Sequence, residues 1–302
     1  MSPERADTAS RIDAPRLRAS AEALAQRLPP LLVEAERVSA TVTPGAHGRR
    51  RTGPGDTFWQ FRTYQSGDAA TSIDWRQSAR SRHLFVREQE WEAAESVWLW
   101  CDLSKSMRYR SSPRLSSKFE RSALLVFALA SMLVRGGERV AFLGAGERPA
   151  GGRYGLDLLT RCMTSASERP SALMPAPELP RFARVVVLSD FLQPLDGLRS
   201  RLDMLAGRGA RVSLMQVLDP AEETLPFEGR VLFEGLEQEG MALIDHVGSV
   251  RASYIRLLQA HRDTLRSWCG RRGWSLTLHH TGSPAETGLM ALAAMLAPRA
   301  IV

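Results

Sequence analysis

The chain predicts an α/β fold, a doubly wound and mostly parallel sheet with an N-terminal loop-rich Arg/aromatic excursion and a β-hairpin insertion. Three observations carry this. Apolar runs at Val97–Cys101, Ala183–Leu188 and Ala210–Leu218 have the composition of strands buried on both faces. Each run ends abruptly in a polar step, at Asp102, at Ser189-Asp190 and at Asp219-Pro220. Between them lie stretches of helical periodicity, so strands and helices alternate as they do when helices cover both faces of a parallel sheet. With 302 residues and 44% hydrophobic content the chain can bury a full core.

In chain order, residues 1–44 form an N-terminal helical segment, in which 14–40 read as a helix with one apolar stripe, interrupted at Pro29-Pro30. The Gly- and Arg-rich stretch 44–58 reads as loop. Residues 45–95 form an Arg/aromatic segment, where Phe58, Phe61, Tyr64, Ile73, Trp75, Leu84, Phe85 and Trp91 are interleaved with arginines, with a turn at Gly67-Asp68 and a short helix or turn at Arg76–Arg80. Residues 96–302 form the α/β domain. After the Val97–Cys101 strand come a helix over Phe119–Gly136, stopped at Gly136-Gly137, and a strand over Glu138–Leu143. A hairpin with a short edge strand is expected over Gly144–Gly155, a helix over Leu156–Ser165, and a proline-rich loop over Pro170–Pro180. A helix over Leu195–Gly207 separates the next two buried strands. Residues 227–245 read as the β-hairpin insertion, followed by a long helix over Ser249–Gly270, a strand over Trp274–His279 and a helix over Pro284–Leu296.

The net charge of +7 comes almost wholly from arginine, since Lys105 and Lys118 are the only lysines. Between Arg49 and Arg87 eight arginines face three aspartates, which concentrates the excess upstream of the first buried strand. Cys101, Cys162 and Cys269 form no C-x-x-C pair, which suggests a reducing compartment rather than a disulfide framework. The first 20 residues contain no apolar signal core, and the runs Ala123–Val134 and Leu289–Pro298 fall short of the roughly 20 residues that span a bilayer. The expectation is a cytoplasmic protein that does not enter a membrane.

The chemistry concentrates after the first strand, in Asp102-Leu103-Ser104-Lys105-Ser106. One carboxylate and two hydroxyls at alternating positions place three hard oxygen atoms round one point, which suits Mg²⁺ or Mn²⁺. This D-x-S-x-S pattern resembles the first limb of the metal-ion-dependent adhesion site of von Willebrand factor A type domains. The six-stranded, Rossmann-type arrangement of that fold fits the element series. In the strand order 3-2-1-4-5-6 the strands ending at Asp102 and Asp190 are neighbours where the order reverses, the place where such sheets bind ligands. Asp102, Ser104, Ser106 and Asp190 would then converge as metal ligands. The pattern departs from the resemblance at the third limb, commonly a threonine before the second helix. This chain reads Gly151-Gly152-Arg153-Tyr154-Gly155 there, and Arg153 would bring positive charge towards the ion.

Gly53, Gly55, Phe58, Arg62, Tyr64, Gly67, Asp68, Ile73, Asp74, Trp75, Ser78, Ala79 and Arg80, then Leu84, Val86, Arg87 and Glu88, together with the D-x-S-x-S loop, resemble the bacterial family called domain of unknown function 58. The resemblance covers about residues 45–300. The family usually has an arginine just before its Ile-Asp-Trp, where this chain has Thr71-Ser72. The resemblance implies a non-enzymatic protein–protein interaction module. Members are often encoded beside an AAA+ ATPase of the MoxR type, which implies an adaptor or co-chaperone role. Partner contacts are expected from Arg62, Tyr64, Asp68, Asp74, Trp75, Arg76 and Arg80, where Arg62, Arg76 and Arg80 could meet acidic groups through planar, bidentate hydrogen bonds. In the alternative account the aromatics only anchor the excursion and the arginines are solvated. Two rival functions stand beside this one: nucleic-acid binding through the basic 49–87 segment, and a metal-dependent hydrolase using Asp102. The first lacks a nucleic-acid motif. The second lacks a phosphate-binding loop, a nucleophile elbow and an H-E-x-x-H pair.

Overall fold

The computed structural model describes residues 49–65, 68–93, 95–167, 174–175, 179–237 and 240–297. The helix expected over 14–40 lies outside them, as does part of the proline-rich loop. The chain divides into two units, Ala46–Glu95 and a larger one containing Ser96–Val302.

In the smaller unit β1 (Arg49–Thr63) leads to a 3₁₀ turn at Ala70–Ser72 and a one-turn helix, α1 (Trp75–Ser78). The chain returns along β2 (Phe85–Ala93), antiparallel to β1, in a register running from Arg49 opposite Ala93 to Thr63 opposite Phe85. This corrects the reading of 44–58 as loop, because residues 49–58 belong to the strand. The Gly53-Pro54-Gly55 neighbourhood leaves the ladder, since Thr52 and Thr57 both face Glu90 and the residues between them bulge out, and a smaller irregularity falls between Phe58 and Gln60. Proline cannot donate to a ladder and glycine weakens one, yet regular pairing on both sides tolerates the insert.

The larger unit contains, in order, β3 (Ser96–Cys101), α2 (Lys118–Arg135), β4 (Arg139–Phe142), α3 (Gly152–Ser167), β5 (Arg184–Ser189), α4 (Leu195–Gly207), β6 (Arg211–Leu218), α5 (Pro220–Thr224), β7 (Val231–Glu234), β8 (Met241–Ile244), α6 (Val247–Arg271), β9 (Ser275–His280) and α7 (Ala285–Leu296). Five parallel strands form the sheet in the order β4-β3-β5-β6-β9, with β7 and β8 as a separate antiparallel hairpin. The order reverses between β3 and β5, which pair from Val97 opposite Arg184 to Cys101 opposite Leu188.

The expected sixth strand is reduced to one antiparallel bridge between Val140 and Ala150. Its sequence explains this, because Gly144 and Gly146 adopt positive φ and Pro149 has no N–H to give. The Gly151–Gly155 stretch is the bridge's exit and the first turn of α3, packed against Glu138 and Arg139. Because Arg139 pairs with Ser96 at the start of β3, exposed Arg153 stands at the opposite end of the sheet from Asp102. The expectation that Arg153 approaches the D-x-S-x-S loop is therefore corrected.

The core is built on β3, β5 and β6, buried along almost their whole length, with α2 laid across them. α2 is apolar nearly all round, as a helix enclosed by a sheet and by α3 and α7 must be. A capping box sets its start: the Ser117 hydroxyl accepts the Glu120 N–H, and Glu120 accepts the Ser117 N–H at 2.9 Å. No helix among the described residues is long and apolar enough to cross a membrane.

Candidate functional site

Three neighbouring strands of the sheet are each followed at once by an aspartate: β3 by Asp102, β5 by Asp190 and β6 by Asp219. Asp102 is fully buried and extends the ladder by one bond, its N–H donating to the Leu188 carbonyl at 2.8 Å. Its Oδ1 accepts the Ser104 N–H at 2.8 Å and its Oδ2 the Ser189 hydroxyl at 2.7 Å. The turn made by the Ser104 contact brings the two loop serines together, with their Oγ atoms 3.1 Å apart. The Ser106 hydroxyl then donates to Asp190 Oδ2 at 3.1 Å. The four residues expected to converge from β3 and β5 thus form one contiguous cluster.

A lysine completes it. Lys118, the first residue of α2, is 1% exposed. Its Nζ lies 2.7 Å from Asp190 Oδ2 and 2.5 Å from Glu222 Oε1. Glu222 belongs to a second capping box, at the start of α5. There its other oxygen accepts the Asp219 N–H, while Asp219 accepts N–H groups from Ala221 and from Ser111.

Burial first, and then the neighbouring Asp190 charge, push the Asp102 carboxyl up to about 7, against hydrogen bonds from Ser104 and Ser189. Burial would pull Lys118 down, but the Asp190 and Glu222 carboxylates outweigh it and hold the ammonium above its ordinary range. Burial also raises Glu222, with Lys118 working against it. The cluster holds more carboxylates than cations, and more negative charge would be relieved by a cation placed beside Asp102.

The donor set suits a hard divalent ion. An octahedral cation with bonds of about 2.0–2.1 Å has neighbouring oxygens about 3 Å apart. The Ser104–Ser106 and Ser106–Asp190 separations are both 3.1 Å. No group of three or more His, Cys, Asp or Glu side chains placed to hold a metal occurs among the described residues, so an ion here would depend on two carboxylates, the hydroxyls and water.

The surroundings of the loop are basic and apolar. Lys105, Arg108, Arg110 and Arg114 are exposed, carry no ion pair among the described residues, and have no acidic residue between Leu103 and Ser117 to offset them. The β7–β8 hairpin reaches the loop through Glu237, whose Oε1 accepts the Ser106 N–H at 3.0 Å. Leu232 opposite Leu243, and Met241 two residues along, lie on one face of that hairpin and are exposed.

The residues expected to contact a partner from the smaller unit divide into two groups. Arg62 and Asp68 pair with each other, in two hydrogen bonds of 2.9 and 3.0 Å, and Asp68 also accepts the Gln65 N–H. Asp74 caps α1 by accepting the Gln77 N–H at 2.9 Å. The polar groups of Arg62, Asp68 and Asp74 thus shape the turn that joins β1 to β2. Tyr64 is half-buried, whereas Trp75, Arg76 and Arg80 are exposed.

Lys118, Ser189, Asp219, Glu222 and Glu237 were not among the expected site residues. Two signals point to some of them. Lysine is rare in this arginine-rich chain, so a lysine at 118 marks a position where a compact ammonium on a flexible stem serves better than a guanidinium. Asp219-Pro220-Ala221-Glu222 is a legible capping box with proline at its first helical position. Nothing local marks Glu237, which is brought in across 131 positions of the chain.

Comparison with known proteins identifies the family. The family described as "Protein of unknown function DUF58" matches residues 60–264, and the chain belongs to it. An uncharacterized protein of Mycobacterium bovis and another of Mycobacterium tuberculosis are each 27% identical over 237 residues, 73% of this chain and 73% of theirs. A crystal structure of an aerotolerance-related membrane protein from Bacteroides fragilis is 14% identical, with 67% of this chain and 98% of that chain covered and a TM-score of 0.35.

Proposed function

We propose that this chain is a non-enzymatic, cytoplasmic protein–protein interaction module with an adhesion-type metal site, serving as adaptor or co-chaperone to a MoxR-type AAA+ ATPase. One observation carries the reading: Asp102, Ser104, Ser106 and Asp190 meet at the carboxyl ends of two adjacent strands, with spacings of 3.1 Å along the hydroxyl row. These residues would hold Mg²⁺ or Mn²⁺, which when bound supplies a position open to a carboxylate oxygen of a partner. The von Willebrand A-like character of the domain is part of this proposal.

The surface around the cluster supports a protein ligand. Exposed Lys105, Arg108, Arg110 and Arg114 favour an acidic partner surface and speed its approach. The exposed hairpin face of Leu232, Met241 and Leu243 offers apolar area to bury. In the smaller unit, Trp75, Arg76 and Arg80 present an aromatic and two cations of the kind that dominate interface energetics.

The test is binding of the purified MoxR-type ATPase of the same genome to the wild type, Asp102→Ala and Arg80→Ala, in Mg²⁺ and in EDTA. The expected result is binding that Asp102→Ala and EDTA each weaken by about tenfold or more, the equivalent of about 1.4 kcal/mol. No binding, or equal binding by all three proteins in both buffers, overturns the proposal.

A further inference from the structure

We infer that Lys118 is a resident cation of this cluster, doing for Asp190 and Glu222 what a divalent ion would otherwise have to do. The inference deepens the reading of the strand ends as a cation site and rests on it. Lysine at the first position of a helix is poorly placed, because the helix N-terminus is itself positive. Burial to 1% exposure adds a desolvation cost. Both costs are accepted only where the ammonium has strong partners, and it has two carboxylate oxygens, at 2.7 Å and 2.5 Å, from different elements of the fold.

Neither carboxylate is passive. Asp190 Oδ2 receives the Ser106 hydroxyl as well as Lys118, and Asp190 Oδ1 receives the Leu192 N–H. Glu222 is tied to the start of α5 through the Asp219 N–H. The ammonium therefore sits where two held carboxylates already converge, with a loop hydroxyl on the shared oxygen. Such an arrangement is a cation position whose cation is part of the chain. It follows that the cluster stays assembled without a metal, and that removal of the lysine charge opens this position to a hard divalent ion.

The experiment is thermal unfolding of the full chain in EDTA and in Mn²⁺, for the wild type, Lys118→Met and Lys118→Met with Glu222→Gln, with Mn²⁺ affinity read by electron paramagnetic resonance. Lys118→Met is expected to melt several degrees below the wild type in EDTA, and to recover most of that loss in Mn²⁺. Its Mn²⁺ affinity should exceed the wild type's by about tenfold or more, since an ion that binds only the folded state raises stability by mass action. The double variant, with one carboxylate of the pair gone, should recover no more than the wild type gains. If Lys118→Met melts equally low in both buffers, or takes Mn²⁺ no more tightly than the wild type, the lysine is a structural ion pair alone and the inference fails. Should Lys118→Met not fold in EDTA, it must fold in Mn²⁺, and failure in both also overturns the inference. An Mn²⁺ response by Lys118→Met without one by the wild type removes the adhesion-type metal reading and leaves Lys118 as the cation of the cluster.

Discussion

His279 shows what burial does to a single titratable residue in this chain. It lies near the end of β9, 4% exposed, with its Nε2 lacking a hydrogen-bond partner among the described residues. Burial first, and then the charges of Arg121 and His280, push its pKa down to about 4. The unfolded chain would take up a proton near pH 6.5, and the folded chain only near 4, so this residue's contribution to stability is complete above pH 6.5 and lost as pH falls towards 4. The difference between the folded and unfolded values corresponds to about 3 kcal/mol. Urea unfolding at pH 7 and pH 4.5 should therefore show a larger loss of stability for the wild type than for His279→Gln, and equal losses would exclude the effect. Asp102 has the opposite sign, because its raised pKa makes the folded state the better proton acceptor between about pH 4 and pH 7, so only the difference between the two proteins isolates His279. Residue identity made some of this legible: adjacent histidines on a strand must face opposite sides. His280 accordingly meets Glu223 at 3.0 Å while His279 turns inward.

At the scale of elements, the join between β4 and α3 leaves no room for a side chain at Gly155. A Cβ built on Gly155 would stand 2.3 Å from the Ala150 carbonyl oxygen and 2.9 Å from its carbon, and both are backbone atoms that cannot swing away. Ala150 is also the residue that forms the single bridge to Val140, so relief of the clash would break that bridge. Gly155→Ala is expected to cost about 1–3 kcal/mol despite alanine's better helix propensity. Chemical denaturation would measure it, and a neutral or stabilising result would contradict the packing. Strand interiors and long helices were legible as elements because hydrophobic period and capping residues are local. Residues 49–58 and 144–155 were misread for the same reason. Glycine and proline signal local breaks, and a partner strand decides whether a break becomes a bulge, as at Gly53–Gly55, or reduces a strand to a single bridge, as at Ala150.

On the scale of the whole molecule, one polar network ties α6 to the sheet behind the candidate site. Arg262 is buried on α6, donates to Gln216 on β6 at 2.9 Å, and forms two bonds of 2.8 Å with Glu223 on α5. Gln216 in turn donates to the Asp190 carbonyl at 2.8 Å. Removing Arg262 would strand the Gln216 amide oxygen in the core and leave Glu223 with His280 alone. Arg262→Ala is expected to lower stability by about 3 kcal/mol without changing the urea dependence of unfolding, since loss of a charge-assisted buried network lowers stability while leaving the fold intact. A change below about 0.5 kcal/mol would show that the network is dispensable.

The sequence by itself determined the alternation of strands and helices, the hairpin insertion, and the meeting of Asp102 with Asp190. These follow from hydrophobic period, from strand ends marked by aspartate, and from the rule that parallel strands neighbour one another where the order reverses. Tertiary structure alone decided what lies beside those aspartates. Lys118, Glu222 and Glu237 come from a helix start, a short helix and a hairpin turn, and each reaches the cluster through contacts spanning 72 to 131 positions of the chain. A buried ammonium is stable only where carboxylates already converge, and that convergence is a property of packed elements rather than of any stretch of sequence.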